Sequence, residues 1–209
     1  MDQCIIFCAG EFAGLIAPLG KEDLVIAADG GYRHTQALGI TPDHILGDFD
    51  SLGYIPEGAE RFPVEKDDTD AMLAARQGLE RGYQKFLFYG SLEGPRLDHT
   101  VANFQTLQFL ADRGAQGWLI GKHQLVTVVK NATLTFPETA EGDISVFCLG
   151  EPARGVTLTG LRYELEKGTL VPGFPLGVSN HFTGRPAKIS VETGSLLVIV
   201  DRKNGFRWK

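Results

Sequence analysis

The sequence predicts an α/β protein. We expect an N-terminal, Rossmann-like domain with a doubly wound, mostly parallel sheet, followed by an all-β, sandwich-like domain. Up to about Lys122, short apolar runs alternate with segments of helical period, which is typical of strand–helix–strand units. After that residue, turn signals separate strand-like runs, and no segment has a convincing helical period. The two domains are therefore predicted to cover residues 1–122 and 123–209.

The first half is predicted to contain both strands and helices. Short continuous apolar runs are typical of strands buried on both faces of a parallel sheet. The helical pattern is clearest where Met72, Ala75 and Leu79 recur at near-helical spacing before Gly82 ends the segment. The predicted strands cover residues 4–9, 24–28, 44–46, 62–64, 85–89 and 118–121, and the predicted helices cover residues 32–38, 69–81 and 98–113.

The second half is predicted to consist of strands. Turn signals such as Lys167-Gly168 and Thr193-Gly194 separate its apolar runs. The predicted strands cover residues 125–129, 133–136, 144–149, 155–158, 188–191 and 196–200.

Composition limits the classes of protein that the chain can belong to. The 209 residues are 43% hydrophobic, which is enough for a packed core, and the net charge of −6 argues against a nucleic-acid or anionic-membrane binder. Three cysteines without a metal or disulfide spacing suggest free thiols in a reducing cytosol. The N-terminus has neither the basic segment nor the apolar run of a signal peptide.

The segment Gly-Asp-Phe-Asp-Ser at residues 47–51 is the most informative motif. It follows an apolar run that we expect to be a buried strand. Because side chains alternate between the faces of a strand, Asp48 and Asp50 are expected on one side and Phe49 on the other. Two converging carboxylates repel each other unless a cation lies between them, and Mg²⁺ is the usual cation where the substrate carries phosphate. The motif therefore predicts a magnesium site for phosphoryl transfer.

Three further polar segments follow predicted strands of the first half: Asp29-Gly30-Gly31, residues 67–70 and residues 90–98. The carboxyl ends of parallel strands meet at one edge of a sheet, where ligands bind. Each segment also has a plain structural explanation. Residues 67–70 can cap a helix, although their three acidic residues exceed what a cap needs. Backbone N–H groups of residues 90–98 and the Arg96 side chain can bind phosphate, but an ordinary loop explains the pattern equally well.

One polar segment of the second half, residues 177–184, carries an aromatic side chain. Phe182 can stack on a flat heterocycle while Ser179 and Asn180 orient it. The alternative is an ordinary loop whose phenylalanine points into the core.

Taken together, these segments resemble the thiamine pyrophosphokinase (thiamine diphosphokinase) family. The resemblance extends over most of the chain and includes the α/β-then-β layout. The matching motifs are Ala-Asp-Gly-Gly at 28–31, Gly-Asp-Phe-Asp-Ser at 47–51, Lys-Asp-Asp-Thr-Asp at 66–70, Arg-Leu-Asp-His at 96–99 with Asn103, and Ser-Asn-His-Phe at 179–182.

The resemblance implies a cytoplasmic homodimer with sites between its subunits. Such an enzyme transfers the terminal diphosphate of ATP to the hydroxyl of thiamine, giving thiamine diphosphate and AMP, and it requires Mg²⁺. The resemblance also implies that residues 1–122 form the catalytic domain for ATP and Mg²⁺, and that residues 123–209 bind thiamine and form the dimer.

Site residues are carried over by position. Asp48, Asp50 and Asp70 are the expected Mg²⁺ ligands. Arg96 and Asp98 complete the expected catalytic set, and the proton acceptor is left open between Asp98 and Asp70. The expected nucleotide-binding residues are Asp29, Gly30, Ser51, Asp67, Thr69 and Asn103, and the expected thiamine-binding residues are Ser179, Asn180 and Phe182.

One departure from the family pattern concerns the loop from Gly90 to Arg96. The family loop usually reads Gly-x-x-Gly-Gly-Arg, whereas this loop is one residue longer and has Gly94-Pro95 before Arg96. Proline lacks an N–H that a phosphate could use. Two other functions remain open on the residues alone: transfer to a pterin-type alcohol by the same fold, and a thiamine or nucleotide binder that has lost catalysis.

Overall fold

The computed structural model describes residues 2–50, 52–62 and 67–202. The chain divides into two compact units, Met1–Lys122 and His123–Lys209. The first unit combines helices with strands, and the described part of the second contains strands alone. The predicted mixed α/β fold is therefore confirmed. None of the helices in the described ranges is long and apolar enough to cross a membrane.

The N-terminal unit is built around six strands. They are β1 (Cys4–Phe7), β2 (Leu24–Ala28), β3 (His44–Gly47), β4 (Glu60–Arg61), β5 (Lys85–Tyr89) and β6 (Gln116–Ile120). The helices are α1 (Tyr32–Ala37), α2 (Asp70–Glu80) and α3 (Leu97–Ala111). The strands pair in parallel in the order β6-β5-β1-β2-β3-β4.

The strand order places β1 at the point where the sheet changes direction. From β1 the chain proceeds through β2 and β3 to β4 on one side, and then returns to β5 and β6 on the other. All four residues of β1 are buried, as expected for a strand with neighbours on both sides. The loops that follow β1 and β5 therefore leave the sheet at its topological switch point, where open α/β sheets bind ligands.

One predicted helix of this unit is confirmed, and one predicted strand begins at a different residue. The predicted helix over residues 69–81 is confirmed as α2, with Thr69 and Arg81 as its capping residues. The fourth strand begins earlier than predicted, because β4 covers Glu60–Arg61 among the described residues. Phe62, where the predicted strand begins, still donates its N–H to the carbonyl of Gly47 at 2.9 Å. Residues 63 and 64 of the predicted strand lie outside the described residues.

The C-terminal unit contains eight strands in the described residues. They are β7 (Gln124–Lys130), β8 (Thr133–Phe136), β9 (Asp143–Cys148), β10 (Ala153–Thr159), β11 (Leu165–Leu170), β12 (Gly177–His181), β13 (Ala187–Ser190) and β14 (Ser195–Asp201). Antiparallel pairing joins them in two sets, with the orders β12-β9-β14-β7 and β11-β10-β13-β8.

The sequence does not predict β11 and β12. Both lie at the edge of their sets, and their exposed positions are polar in the main. In β12 the pairing with β9 shifts register between Gly177 and Asn180, and Ser179 has a φ of 57°. A β-bulge of this kind interrupts the alternation by which a strand is recognised. The segment that we expected to be a polar loop is therefore largely a bulged edge strand.

We predict that Gly31→Ala destabilises the fold without changing its backbone preference. Gly31 has a φ of −58°, which alanine also adopts, but a Cβ there would overlap the carbonyl of Phe7 and lie 2.9 Å from the nitrogen of Cys8. Overpacking against backbone atoms should lower the free energy of unfolding by about 2 kcal/mol or more, measured by urea denaturation.

Gly173→Ala is the matched control, because no atom lies within 4 Å of a Cβ at that position. Equal stability of the two variants would contradict the packing of the β2–α1 connection against the end of β1.

Candidate active site

The site begins where β2 and β3 end side by side. Asp29 follows β2 directly, has a φ of 46° and is 9% exposed. Gly47 ends β3 with a φ of 151°, and a Cβ there would lie 3.0 Å from the Cα of Asp29. Glycine therefore allows the end of β3 to approach Asp29 closely.

Phe49 anchors the segment that follows β3. Its ring is 3% exposed and packs in an apolar cluster with Ala27, Ile45 and Leu52. Its φ of 63° is unusual for an aromatic residue, whose Cβ disfavours the left-handed region. Burial of the ring compensates for this backbone strain and holds the turn in one conformation.

This turn brings Asp48 and Asp50 to the same side. The N–H of Asp50 donates to the Oδ1 of Asp48 at 3.1 Å. The two carboxylates are neighbours, as the motif predicted, but strand alternation is not the cause, because β3 already ends at Gly47. A tight turn around Phe49 replaces the extended backbone that we expected.

Three carboxylates meet at this point. Oxygen atoms of Asp29, Asp48 and Asp50 all lie within 4.8 Å of one another. Oxygen-only donors at this spacing suit a hard divalent cation such as Mg²⁺. Asp29, which we expected to bind nucleotide, therefore joins the two aspartates that we expected to bind the metal. Asp70, the third expected ligand, does not belong to this group.

Asp70 lies instead near the end of β1. Burial raises the pKa of the Cys8 thiol to about 12, and the negative charge of Asp70 adds to the rise. The carboxylate of Asp70 therefore acts electrostatically on the first residue after β1, at the same edge of the sheet as the three carboxylates.

The residues before α2 have separate tasks. The Oγ1 of Thr69 accepts the N–H of Met72 at 3.2 Å and so caps the helix, which is the structural explanation considered for this segment. Asp68 pairs with Arg76 at 2.9 Å. Asp67 is exposed. Of these expected nucleotide-binding residues, Thr69 has its hydroxyl committed to the helix.

The loop after β5 turns its carbonyl oxygens inward. Four successive carbonyls, from Gly90 to Glu93, each accept a hydrogen bond from the surrounding protein. The donors in order are the N–H of Gly10 at 2.9 Å, the Nδ2 of Asn103 at 2.7 Å, the Oγ1 of Thr100 at 3.1 Å and the N–H of Glu11 at 3.1 Å. Asn103, expected to bind nucleotide, is 6% exposed and fastens this loop.

The N–H groups of the same loop are uncommitted. Within the described part of the chain, none of the N–H groups of residues 91–94 donates a hydrogen bond. Successive free N–H groups beside a helix N-terminus form a concave anion site. Pro95 contributes no N–H, so the loop offers its donors before the proline and the Arg96 side chain after it.

Arg96 and Asp98 form an exposed ion pair at the start of α3. The Nη2 of Arg96 lies 2.7 Å from the Oδ2 of Asp98, and its Nε lies 2.9 Å from Oδ1. The hydrogen bond from Arg96 lowers the pKa of Asp98 to about 2. That hydrogen bond also raises the pKa of Arg96, and the charge of Asp50 adds to the rise. Arg96 therefore lies within electrostatic range of Asp50, one of the three carboxylates.

The low pKa limits what Asp98 can do. A general base works best when its pKa lies near the operating pH. A carboxylate with a pKa of about 2 is a weak base at neutral pH. While it is paired with Arg96, Asp98 is therefore poorly suited to accept a proton.

The expected thiamine-binding residues of the second unit differ in their surroundings. Ser179 is exposed, and its N–H donates to the Oγ of Ser145 at 3.1 Å. Phe182 is 8% exposed and packs edge-on against Phe136, with ring centroids 5.1 Å apart. Its ring thus points into the core, the alternative considered for this segment.

Asn180 is a buried structural amide in this conformation. Its Oδ1 accepts the N–H groups of Tyr163 and His181, each at 2.9 Å, and its Nδ2 donates to the carbonyl of Tyr163 at 2.6 Å. At 3% exposure, the amide has no surface left for a ligand. It holds the backbone of Tyr163, whose own side chain is 61% exposed.

Two further site residues were expected from the resemblance, Gly30 and Ser51. Gly30 is buried within the short 3₁₀ turn over Asp29–Gly31. Ser51, together with Lys66 of the second motif, lies outside the described residues.

Sequence reasoning missed one residue with a central position. Glu93 was passed over as part of a loop, yet its carboxylate accepts the N–H of Lys122 at 2.7 Å. The available signal was an acidic residue inside the glycine-rich loop, at the place where the loop is longer than the family pattern.

A parallel sheet with clustered carboxylates and free loop N–H groups at one edge is typical of enzymes that bind a phosphorylated ligand together with a divalent cation. The model of the catalytic domain of thiamin pyrophosphokinase matches residues 18–119. The model of the vitamin B1 binding domain of thiamin pyrophosphokinase matches residues 131–198. The chain belongs to the thiamine pyrophosphokinase family, which consists of ATP-dependent diphosphotransferases.

Individual relatives agree with this assignment. Thiamine pyrophosphokinase of Bacillus subtilis (strain 168) is 28% identical over 188 residues, which cover 86% of this chain and 87% of the relative. The crystal structure of thiamine pyrophosphokinase from Bacillus subtilis superposes with a TM-score of 0.82 at 26% identity, covering 98% of this chain and 100% of that one. The thiamin pyrophosphokinase structure from Geobacillus thermodenitrificans has the same fold, with a TM-score of 0.79 at 24% identity and coverage of 98% and 99%.

We predict that Arg96→Gln raises the pKa of Asp98. The hydrogen bond from Arg96 is the main cause of its low value of about 2, so its loss should return the carboxyl towards its ordinary range. The measurement is a carbon-detected NMR titration of the Asp98 carboxyl. Because the folded pKa lies below the unfolded one, the pair stabilises the fold at neutral pH, and this contribution disappears as pH falls towards 2. An unchanged midpoint in the variant would show that the pair does not form in solution.

Proposed function

We propose that this protein is a Mg²⁺-dependent thiamine diphosphokinase, which transfers a diphosphate from ATP to the hydroxyl of thiamine and releases AMP. The observation that carries the proposal is the group formed by Asp29, Asp48 and Asp50. It lies at the sheet edge where a nucleotide is expected to bind. Family membership supplies the substrates.

The cation's ligands in this proposal are Asp29, Asp48 and Asp50. Their oxygens are close enough together to share one ion. A bound Mg²⁺ would neutralise negative charge on phosphate oxygens and help to orient them. Asp70, which the resemblance places among the ligands, is assigned to accept the proton of the thiamine hydroxyl, because metal ligation and base action compete for the same lone pairs.

The loop after β5 holds the phosphate chain in this proposal. The N–H groups of residues 91–94 and the guanidinium of Arg96 supply the donors. Arg96 then exchanges one negative partner, Asp98, for another, the phosphate. Residues that hold charge and position reactants suffice for phosphoryl transfer, since little covalent chemistry falls to the protein.

Thiamine is assigned to the C-terminal unit. Its ring system is a cation, so the carboxylates of the nucleotide site also favour its approach electrostatically. Ser179 stays a proposed direct contact because it is exposed. Asn180 and Phe182 are only 3% and 8% exposed, so we propose that they support the thiamine site without contacting thiamine directly.

The finer architecture is also part of the proposal. The connections from β2 to β3 and from β5 to β6 run in opposite directions along the sheet. Because crossovers between parallel strands are right-handed as a rule, this order favours a doubly wound, Rossmann-like arrangement. Two antiparallel sets in the second unit favour a sandwich-like arrangement.

Exposed apolar side chains of the second unit support a homodimer with sites between subunits. They are Tyr163, Phe174, Leu176 and Val178. Three free cysteines are consistent with the cytoplasm.

We predict that incubation with thiamine, ATP and Mg²⁺ yields thiamine diphosphate and AMP in equal amounts. Attack on the β-phosphorus makes AMP the leaving group. Chromatographic separation of the nucleotides measures the products. Formation of ADP would contradict diphosphate transfer, and turnover of a pterin-type alcohol in preference to thiamine would contradict the proposed acceptor.

We predict that Asp29→Asn and Asp48→Asn each lower kcat by about 10²-fold or more, since each removes charge from the cation site. Both should also raise the Mg²⁺ concentration needed for half-maximal activity. Asp68→Asn is the control, because that carboxylate is paired with Arg76 at the neighbouring helix start. Near-normal turnover of Asp29→Asn with a normal Mg²⁺ requirement would remove Asp29 from the ligand set.

A further inference from the structure

We infer that Glu93 is a positioning residue of the nucleotide site, which orients the N–H groups of residues 91–94 by joining their loop to two neighbouring strand ends. This inference rests on the proposed function, because it assumes that the loop binds the phosphates of a nucleotide. Glu93 belongs to the part of the loop that departs from the family pattern, so the inference concerns this chain in particular.

The side chain of Glu93 joins the loop to the end of β6. Its Oε1 accepts the N–H of Lys122 at 2.7 Å. The approach requires glycine at position 121, because a Cβ there would overlap Oε1 and lie 2.6 Å from the Cδ2 of Leu92. A carboxylate that accepts a backbone N–H makes a stronger hydrogen bond than a neutral acceptor does.

The backbone of Glu93 joins the same loop to the end of β1. Its carbonyl accepts the N–H of Glu11 at 3.1 Å, and the carbonyl of Gly90 accepts the N–H of Gly10 at 2.9 Å. One residue therefore connects the loop after β5 with the segments after β1 and β6. Because peptide planes are rigid, fixing the carbonyl direction at Glu93 also fixes the direction of the next N–H, that of Gly94.

The buried second oxygen of the carboxylate indicates that this connection serves more than the stability of the loop. The Oε2 of Glu93 is buried and has no hydrogen-bond partner among the described residues. A buried, unpaired carboxylate oxygen destabilises a fold, so a neutral side chain would be the better choice for packing alone. We attribute the retained charge to the strong Oε1 bond that sets the loop geometry. The unpaired Oε2 atom then lowers the stability of the fold, as strained groups do at other functional sites.

The test compares Glu93→Ala, Glu93→Asp and Glu93→Gln in the full chain. Alanine removes the acceptor, aspartate keeps the charge but shortens the reach to Lys122, and glutamine keeps an Oε1 acceptor at the original distance. Calorimetry with MgATP in the absence of thiamine measures the dissociation constant. Steady-state assays measure the KM values for ATP and thiamine separately.

Loss of one positioning hydrogen bond should weaken MgATP binding by about 10-fold in Glu93→Ala and Glu93→Asp. Glutamine keeps the acceptor without its charge, so it should weaken MgATP binding by about threefold, less than alanine or aspartate does. The KM for thiamine should change by less than about twofold in all three variants. Glu11→Ala is the matched control, since among the described residues its exposed carboxylate pairs only with the Nζ of Lys122, at 3.9 Å, and its backbone bond to Glu93 remains.

Wild-type MgATP affinity in the alanine variant would overturn the inference, and so would a parallel loss of ATP and thiamine affinity, which a general loss of structure produces. If the alanine variant fails to fold, the comparison of aspartate with glutamine decides, because both keep a polar side chain at the position. Wild-type protein that binds MgATP but makes no thiamine diphosphate would contradict the proposed function. The MgATP dissociation constants of the Glu93 variants would still test the present inference.

Discussion

The carboxylate group at the sheet edge depends on one apolar contact, the burial of the Phe49 ring against Ala27, Ile45 and Leu52. This contact holds a left-handed aromatic residue that would be strained in isolation. The tight turn around the buried ring brings Asp48 and Asp50 to the same side, where their carboxylates meet that of Asp29. Mutual repulsion among three carboxylates is therefore opposed by hydrophobic burial, which leaves them ready for a cation.

A second constraint is the commitment of carbonyl groups in the loop after β5. Main-chain carbonyls and N–H groups lie on opposite sides of the peptide units, so engaging four successive carbonyls with the protein leaves the N–H groups available to a ligand. Asn103 and Thr100 of α3 and the residues after β1 perform this task together. The loop is thus held by two side chains of α3 and by two backbone N–H groups that follow β1.

Sequence reasoning predicted most elements of the first unit, because buried parallel strands and amphipathic helices have strong periodic signals. It failed at β11 and β12, whose half-exposed edge positions carry weak signals, and the bulge at Ser179 further obscured β12. For the site, it found Asp48 and Asp50 as a pair but gave Asp29 a different task. Asp29 and Asp48 are distant along the chain, and only strand pairing brings β2 beside β3.

What the sequence determined by itself was the class of chemistry, since two carboxylates after a buried strand already indicate a cation for phosphoryl transfer. For the loop with Arg96, the residues alone left phosphate binding and an ordinary loop open. Tertiary structure decided which residues share a site and which are occupied by the fold. It grouped Asp29 with Asp48 and Asp50, committed Thr69, Asn103 and Asn180 to backbone hydrogen bonds, and buried Phe182. The reason is physical: residue type limits the interactions that a side chain can make, but the distances and burial produced by strand pairing and packing select among them.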